Sequence, residues 1–170
     1  ESITFGGNFD TSKVTTMEYM FSNCEKLRTI DLSSFNTENV GSMMGMFGSC
    51  HALKQVDLSS FNTEQVTNMR YMFYCCYELT KLDLSNFSTE KVDEMREMFL
   101  GCHNLAELDL RSFSFNLHSN YVSRIFNSLG SKLDYNAKIY VTQEGFDFLN
   151  EYATIFTGSA KFEFVIVSAE

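Results

Sequence analysis

Phe9, Phe35, Phe61, Phe87 and Phe113 follow one another at intervals of 26 residues, and so do Phe21, Phe47, Phe73 and Phe99, and Cys24, Cys50, Cys76 and Cys102. A unit this short cannot bury its apolar face except against a copy of itself, so the period predicts one supersecondary unit stacked four to five times. The unit reads L-x-x-[IVL]-D-L-S-[SN]-F-[NS]-T-E-x-V-x-x-M-x-x-M-F-x-x-C-x-x. Apolar residues hold every position that must face a neighbouring repeat, which is the pattern of a solenoid.

Within one unit, LRTIDLSSF alternates Ile30 and Leu32 inward with Thr29, Asp31 and Ser33 outward, the period of a short strand. QVDLSSF, KLDLSNF and ELDLRSF are its equivalents. Stacked strands run the same way, so the sheet is parallel and each strand needs a crossover. For the return path the spacing predicts a short helix. Thr37 followed by Glu38 reads as an N-cap with an acidic first turn, repeated at Thr63-Glu64 and Thr89-Glu90. Val40, Met43, Met46, Phe47 and Cys50 then fall on one helical face. Gly48 and Gly101 weaken the helix end in two units, and Leu53 or Leu105 re-enters the core. The fold class this implies is an α/β repeat solenoid, leucine-rich-repeat-like, with short parallel strands alternating with short helices.

Eight of the nine methionines sit in two ladders, Met17, Met43, Met69, Met95 and Met20, Met46, Met72, Met98. They read as adaptable packing material, as do the Phe ladders. The register loosens at both ends. ITFGGNFDTSKV matches IDLSSFNTENV with one inserted residue, so Ile3 and Phe5 begin a half unit expected to continue upstream. Near the other end Phe115 stands where the capping Thr should be, and Val122, Ile125 and Phe126 regain the inward face with one extra residue. Beyond Asp134 the chain reads as strand, helix, strand (AKIYV, TQEGFDFLNEYATIF, KFEFVIV), with Phe146, Leu149 and Ala153 on the core side and Thr142 or Gln143 at the helix start. Residues 1–133 are expected to form the solenoid and 134–170 a C-terminal cap of the same domain.

A formal charge of −9, with 13 basic residues scattered among 22 acids, argues against a nucleic-acid partner, which demands a Lys/Arg footprint. No run approaches the roughly 18 apolar residues that span a bilayer, so no membrane insertion by this fragment is expected. The chain opens ESITFGGNF without Met, basic n-region or apolar h-region, and reads as an excised mature fragment. The four in-register cysteines are flanked by core residues. Their Cα atoms would lie about 5 Å apart, within disulfide range, but parallel Cβ vectors oppose pairing. Buried reduced thiols are the expectation, disulfides the alternative. No C-x₂₋₄-C pair exists for zinc, and no metal or cofactor is expected.

The wording LDLSSFNTENV…M-x-x-MF-x-x-C-x-x-L resembles the BspA-type leucine-rich repeat surface proteins of bacteria and some protists, over roughly residues 3 to 128. Phe replaces the Asn or Cys of ordinary leucine-rich repeats, so no asparagine ladder is available on the inner turn. The resemblance implies an exported, surface-attached array concerned with adhesion, and names no ligand.

Two surfaces are candidates for contact. On the strand face, Thr29, Gln55, Lys81 and Glu107 form one outward ladder, Asp31, Asp57, Asp83 and Asp109 a second, and Ser33, Ser59, Ser85 and Arg111 a third. Stacked carboxylates repel unless bridged or hydrogen-bonded, and Ca²⁺ ligation is the alternative to a solvated acid row. On the other side, a helix starting near Glu64 would project Tyr71 and Cys75 outward beside Tyr74, a patch of the kind found in interfaces or an ordinary surface. By the same phase, Cys75 should be the reactive thiol. His51 and His103 share a repeat position with Glu25 and Tyr77, and no nucleophile–base grouping or phosphate loop is present, so no enzyme is expected. The expected role is a cell-surface or extracellular adhesion or recognition module for a protein or glycan partner. A structural spacer is the alternative.

Overall fold

The computed structural model describes residues 1–6, 8–115, 123–151 and 160–168. Its strands are short and all parallel: β1 Ser2–Ile3, β2 Thr29–Ile30, β3 Lys81–Asp83, β4 Glu107–Asp109, β5 Ala137–Val141 and β6 Phe162–Ile166, with one helix among the described residues, α1 Gln143–Glu151. β1 pairs with β2, and β3-β4-β5-β6 form a second sheet in chain order. Leu82 lies opposite Leu108, and Leu108 opposite Ile139, so the inward apolar position is kept in register from coil to coil. The equivalent stretch around Val56 lies outside the named strands, although Lys54 still accepts the Thr80 N–H at 3.2 Å. The molecule is a parallel-strand β-solenoid.

The helical crossovers expected from the repeat are not formed, and the hydrogen bonds show why they are unnecessary. The N–H groups of Met17, Tyr19, Phe21 and Asn23 donate to the carbonyls of Ser42, Met44, Met46 and Gly48 in the next coil at 2.8–2.9 Å. Those of Met20, Ser22 and Cys24 turn back three residues, to Met17, Tyr19 and Phe21. The same alternation recurs from Met43 to Cys50 and from Met69 to Cys76. A helix would instead send each N–H four residues back. Two residues per coil have positive φ: Tyr19, Gly45, Tyr71 and Glu97 on one ladder, and Asn23, Ser49, Cys75 and Gly101 on the other. A left-handed residue ends a right-handed helical run, so the path is a string of tight turns stitched to its neighbours.

The inward residues are nevertheless those read from the sequence. Val40, Met43, Met46, Phe47 and Cys50 are all fully buried, as are their equivalents Val66, Met69, Met72, Phe73 and Cys76. Turns and a helix both return a side chain inward every three or four residues, so the spacing suits either. Phe47 stacks between Phe21 and Phe73 at 5.6 and 5.5 Å, and Phe61 between Phe35 and Phe87 at 6.4 and 6.5 Å. These are offset-stacked separations, which carry favourable ring–ring contact beyond the buried area.

Thr37, Thr63 and Thr89 cap no helix. Each is buried, with its hydroxyl donating across to the next coil: Thr37 to the Asn62 carbonyl at 2.8 Å, Thr63 to Ser88 at 2.9 Å, Thr89 to Ser114 at 3.1 Å. They clamp adjacent coils in the one polar position the core allows.

Beyond the repeats, β5, α1 and β6 appear in the expected order, with Thr142 accepting the Gly145 N–H at the helix start and Leu149 buried. Phe162 meets Phe126 edge-on at 5.3 Å, so this segment covers the end of the phenylalanine stack. Of the residues expected to face inward, Val122 and Ala153 lie outside the described residues.

Candidate functional site: a tyrosine-lined trough on the turn face

The strand face is largely engaged with itself. Asp31, Asp57, Asp83 and Asp109 each accept the N–H two residues on, from Ser33, Ser59, Ser85 and Arg111 at 3.0–3.1 Å. Each carboxylate closes a local turn at the end of its strand position. The Ser33 hydroxyl and N–H hold the Asp31 carboxyl below its ordinary range, and Ser59 and Ser85 do the same for Asp57 and Asp83. Arg111 also donates from Nε to both Asp109 oxygens at 3.0 Å. Lys81 pairs with Glu107 at 2.9 Å across β3 and β4, and that carboxylate raises the Lys81 pKa. Thr29 and Gln55 are exposed on the same ladder. A shallow hollow of about 310 Å³ lies among Lys81, Asp83, Glu107, Asp109, Arg111 and Tyr140. Among the described residues no group of three or more His, Cys, Asp or Glu side chains is placed to hold a metal ion.

The turn face is built differently. Left-handed backbone aims the side chains at positions 19, 45, 71 and 97 along one ladder, and these are Tyr, Gly, Tyr and Glu. Glycine at 45 leaves a gap there. The Tyr19 ring lies across it, so close that a Cβ on Gly45 would meet two ring carbons at 2.5 Å. Tyr71 stands beyond the gap, edge-on to Tyr74 at 5.4 Å. Together with Glu97 they line a trough of about 350 Å³, along with Gly45, Gly48 and Ser49. The Arg70 guanidinium lies 4.4 Å from the Tyr71 ring centroid and donates to the Tyr71 hydroxyl, while its Nε is buried without a hydrogen-bond partner.

Tyr71 and Tyr74, read from the sequence as neighbours, lie edge-on to each other, and the structure adds Tyr19 and Glu97, one repeat interval or its multiple away from Tyr71. The repeat register carried that signal, since positions 19, 45, 71 and 97 share one phase. Cys75 is corrected. It is 9% exposed rather than projecting, because it occupies the other left-handed corner of the coil, packed against Gly101. A hydrogen bond with the Cys75 thiol raises the Tyr74 hydroxyl and pushes Tyr77 up to about 12. All five cysteines are free, with Cys24 half-buried on the first coil and the others buried. His51, Tyr77 and His103 form a stacked ladder of their own, at 4.5 and 5.3 Å.

No curated protein and no solved structure matches the chain. A family model does, over residues 2–113, which takes in the coils that carry the trough. With the matched stretch extending over most of its length, the chain belongs to the family described as Mycoplasma protein of unknown function, DUF285.

Proposed function

We propose that this chain is a cell-surface recognition module of the BspA-type leucine-rich-repeat kind, which holds an extracellular protein or glycan partner against its repeat surface and catalyses no reaction. The observation that supports this most is the trough. Three tyrosines are kept partly exposed beside a glycine gap, over coils whose phenylalanine ladders from Phe35 onward are buried. Tyrosine offers contact area with a polar tip and loses little side-chain freedom on binding. Backbone cross-linked coil to coil presents those rings already ordered, which lowers the entropic cost of association. On the strand face, by contrast, Lys81 pairs with Glu107 and Arg111 with Asp109 within the molecule.

The test is a binding screen of the intact chain against extracellular-matrix proteins and glycans. Tyr71→Ala and Tyr74→Ala should weaken capture of any partner found, whereas Asp57→Lys and Asp83→Lys should leave it. The reverse pattern would transfer the contact to the strand face. Capture of nothing by this chain, with capture by a longer form of the protein, would make it a spacer.

A further inference from the structure

We infer that the trough takes a cationic alkylammonium group, such as a quaternary ammonium or an N-methylated lysine side chain carried by the partner. The inference rests on the reading of the tyrosine face as a contact surface and specifies its chemistry. Three phenol rings, Tyr19, Tyr71 and Tyr74, and one carboxylate, Glu97, line the same hollow, and Glu97 is the one charged residue among its lining. Ring faces carry negative quadrupole density, so aromatic walls and a carboxylate act together on a cation. The molecule already uses one of these rings that way, with Arg70 over Tyr71 at 4.4 Å. A formal charge of −9 adds long-range attraction of the same sign.

A neutral sugar fits the lining less well. Sugar recognition calls for convergent donors and acceptors, and here two of the polar tips are already engaged within the molecule. Asn23 Nδ2 donates to the Ser22 hydroxyl at 3.2 Å, and the Tyr71 hydroxyl accepts from Arg70. Beside them the hollow presents three phenol rings and the Glu97 carboxylate, the one charged group in its lining. Besides Arg70 on the Tyr71 ring, Arg124 is the cation that competes for Glu97. Its Nη1 reaches Glu97 at 3.5 Å, the outer limit of a hydrogen bond, from a side chain that is 66% exposed, so it is screened by solvent and readily displaced.

The probe is tetramethylammonium, titrated into the intact chain while the tyrosine ring protons are followed by NMR, with 3,3-dimethylbutanol as the uncharged counterpart of similar shape and methyl glucoside as the sugar control. Tetramethylammonium should shift the Tyr19, Tyr71 and Tyr74 resonances in a saturable way, and the two neutral compounds should not. Tyr74→Leu and the near-isosteric Glu97→Gln should each weaken binding by about two- to thirty-fold. Arg124→Gln, which frees Glu97, should tighten it. Unchanged thermal melts for Glu97→Gln and Arg124→Gln keep the result from being a folding effect. Equal binding of the alcohol, binding of the sugar instead, or indifference to both Glu97→Gln and Arg124→Gln would overturn the assignment. Partner capture that depends on Tyr71 while tetramethylammonium fails to bind would remove the cation and leave the recognition reading standing.

Discussion

Thr37 and Asn62 exchange two hydrogen bonds across neighbouring coils: the Thr37 hydroxyl donates to the Asn62 carbonyl and accepts from the Asn62 N–H, both at 2.8 Å. The pair recurs at Thr11 with Asn36 and at Thr89 with Ser114. One side chain thereby satisfies a donor and an acceptor that the coil geometry leaves without a backbone partner.

Thr37→Val keeps the shape and deletes both bonds. It should destabilise the chain by about 1–3 kcal/mol, the cost of leaving buried polar groups unpaired. Thr37→Ser, which keeps the hydroxyl, should lose less. Urea melts of the two variants decide this, and a Val variant as stable as the Ser variant would show that the hydroxyl is not holding the coils.

In the phenylalanine and methionine stacks, position along the array should matter more than residue type. Phe73→Ala and Met69→Ala open cavities in fully buried sites and should each cost about 2–5 kcal/mol. Met20 is in phase with Met46 and Met72 but 40% exposed on the first coil. Met20→Ala should cost less than about 0.5 kcal/mol, as surface substitutions do. Equal losses at Met20 and Met72 would mean that the first coil is covered in solution.

Thiol labelling should follow burial. In the native protein Cys24 should react first, with Cys50, Cys75, Cys76 and Cys102 protected, and all five should react once the chain is denatured without reductant. Fast native labelling of Cys75 would restore the outward projection that the turn path denies it.

The ladder thiols also set a base limit on stability. Burial pushes the Cys50 thiol up to about 12 and raises Cys76 and Cys102 in the same direction. The unfolded thiols ionise near pH 8.5, so the unfolded chain releases protons that the folded one keeps. The stabilisation is therefore complete below about pH 8.5 and is lost as pH rises toward the folded value, by about 1.4 kcal/mol per pH unit for each thiol ionised only on unfolding. Urea melts across this range should show the decline, and Cys76→Ala should flatten it. An identical slope in Cys76→Ala would exclude the thiol as its source.

Ser49 stands at φ +61, on the ladder where another coil has Gly101. Ser49→Val should cost about 1–2 kcal/mol, because a β-branched side chain resists left-handed backbone, and Ser49→Gly should be neutral or stabilising. Thermal melts in which Val is tolerated as well as Gly would mean that this corner is not left-handed in solution.

The sequence by itself determined the period, the parallel stacking and which residues face inward. Phe47, Met46, Cys50 and Val40 are buried whatever path the backbone takes between them, since their spacing alone selects one side. It also made the strand, helix and strand beyond Asp134 legible, because α1 closes its own hydrogen bonds locally behind Thr142. Only the tertiary structure decided how the chain returns. The N–H of Tyr19 can go four residues back or across to Met44, and the inward pattern is the same for both. Once the bond goes across, Thr37 becomes a clamp instead of a cap, Cys75 turns into the wall, and Tyr19, Gly45, Tyr71 and Glu97 line up along one corner. Their shared outlook belongs to no single repeat and exists only when the coils are stacked, since their N–H groups donate to Met44, Arg70, Arg96 and Ser123, 25 or 26 residues away rather than four.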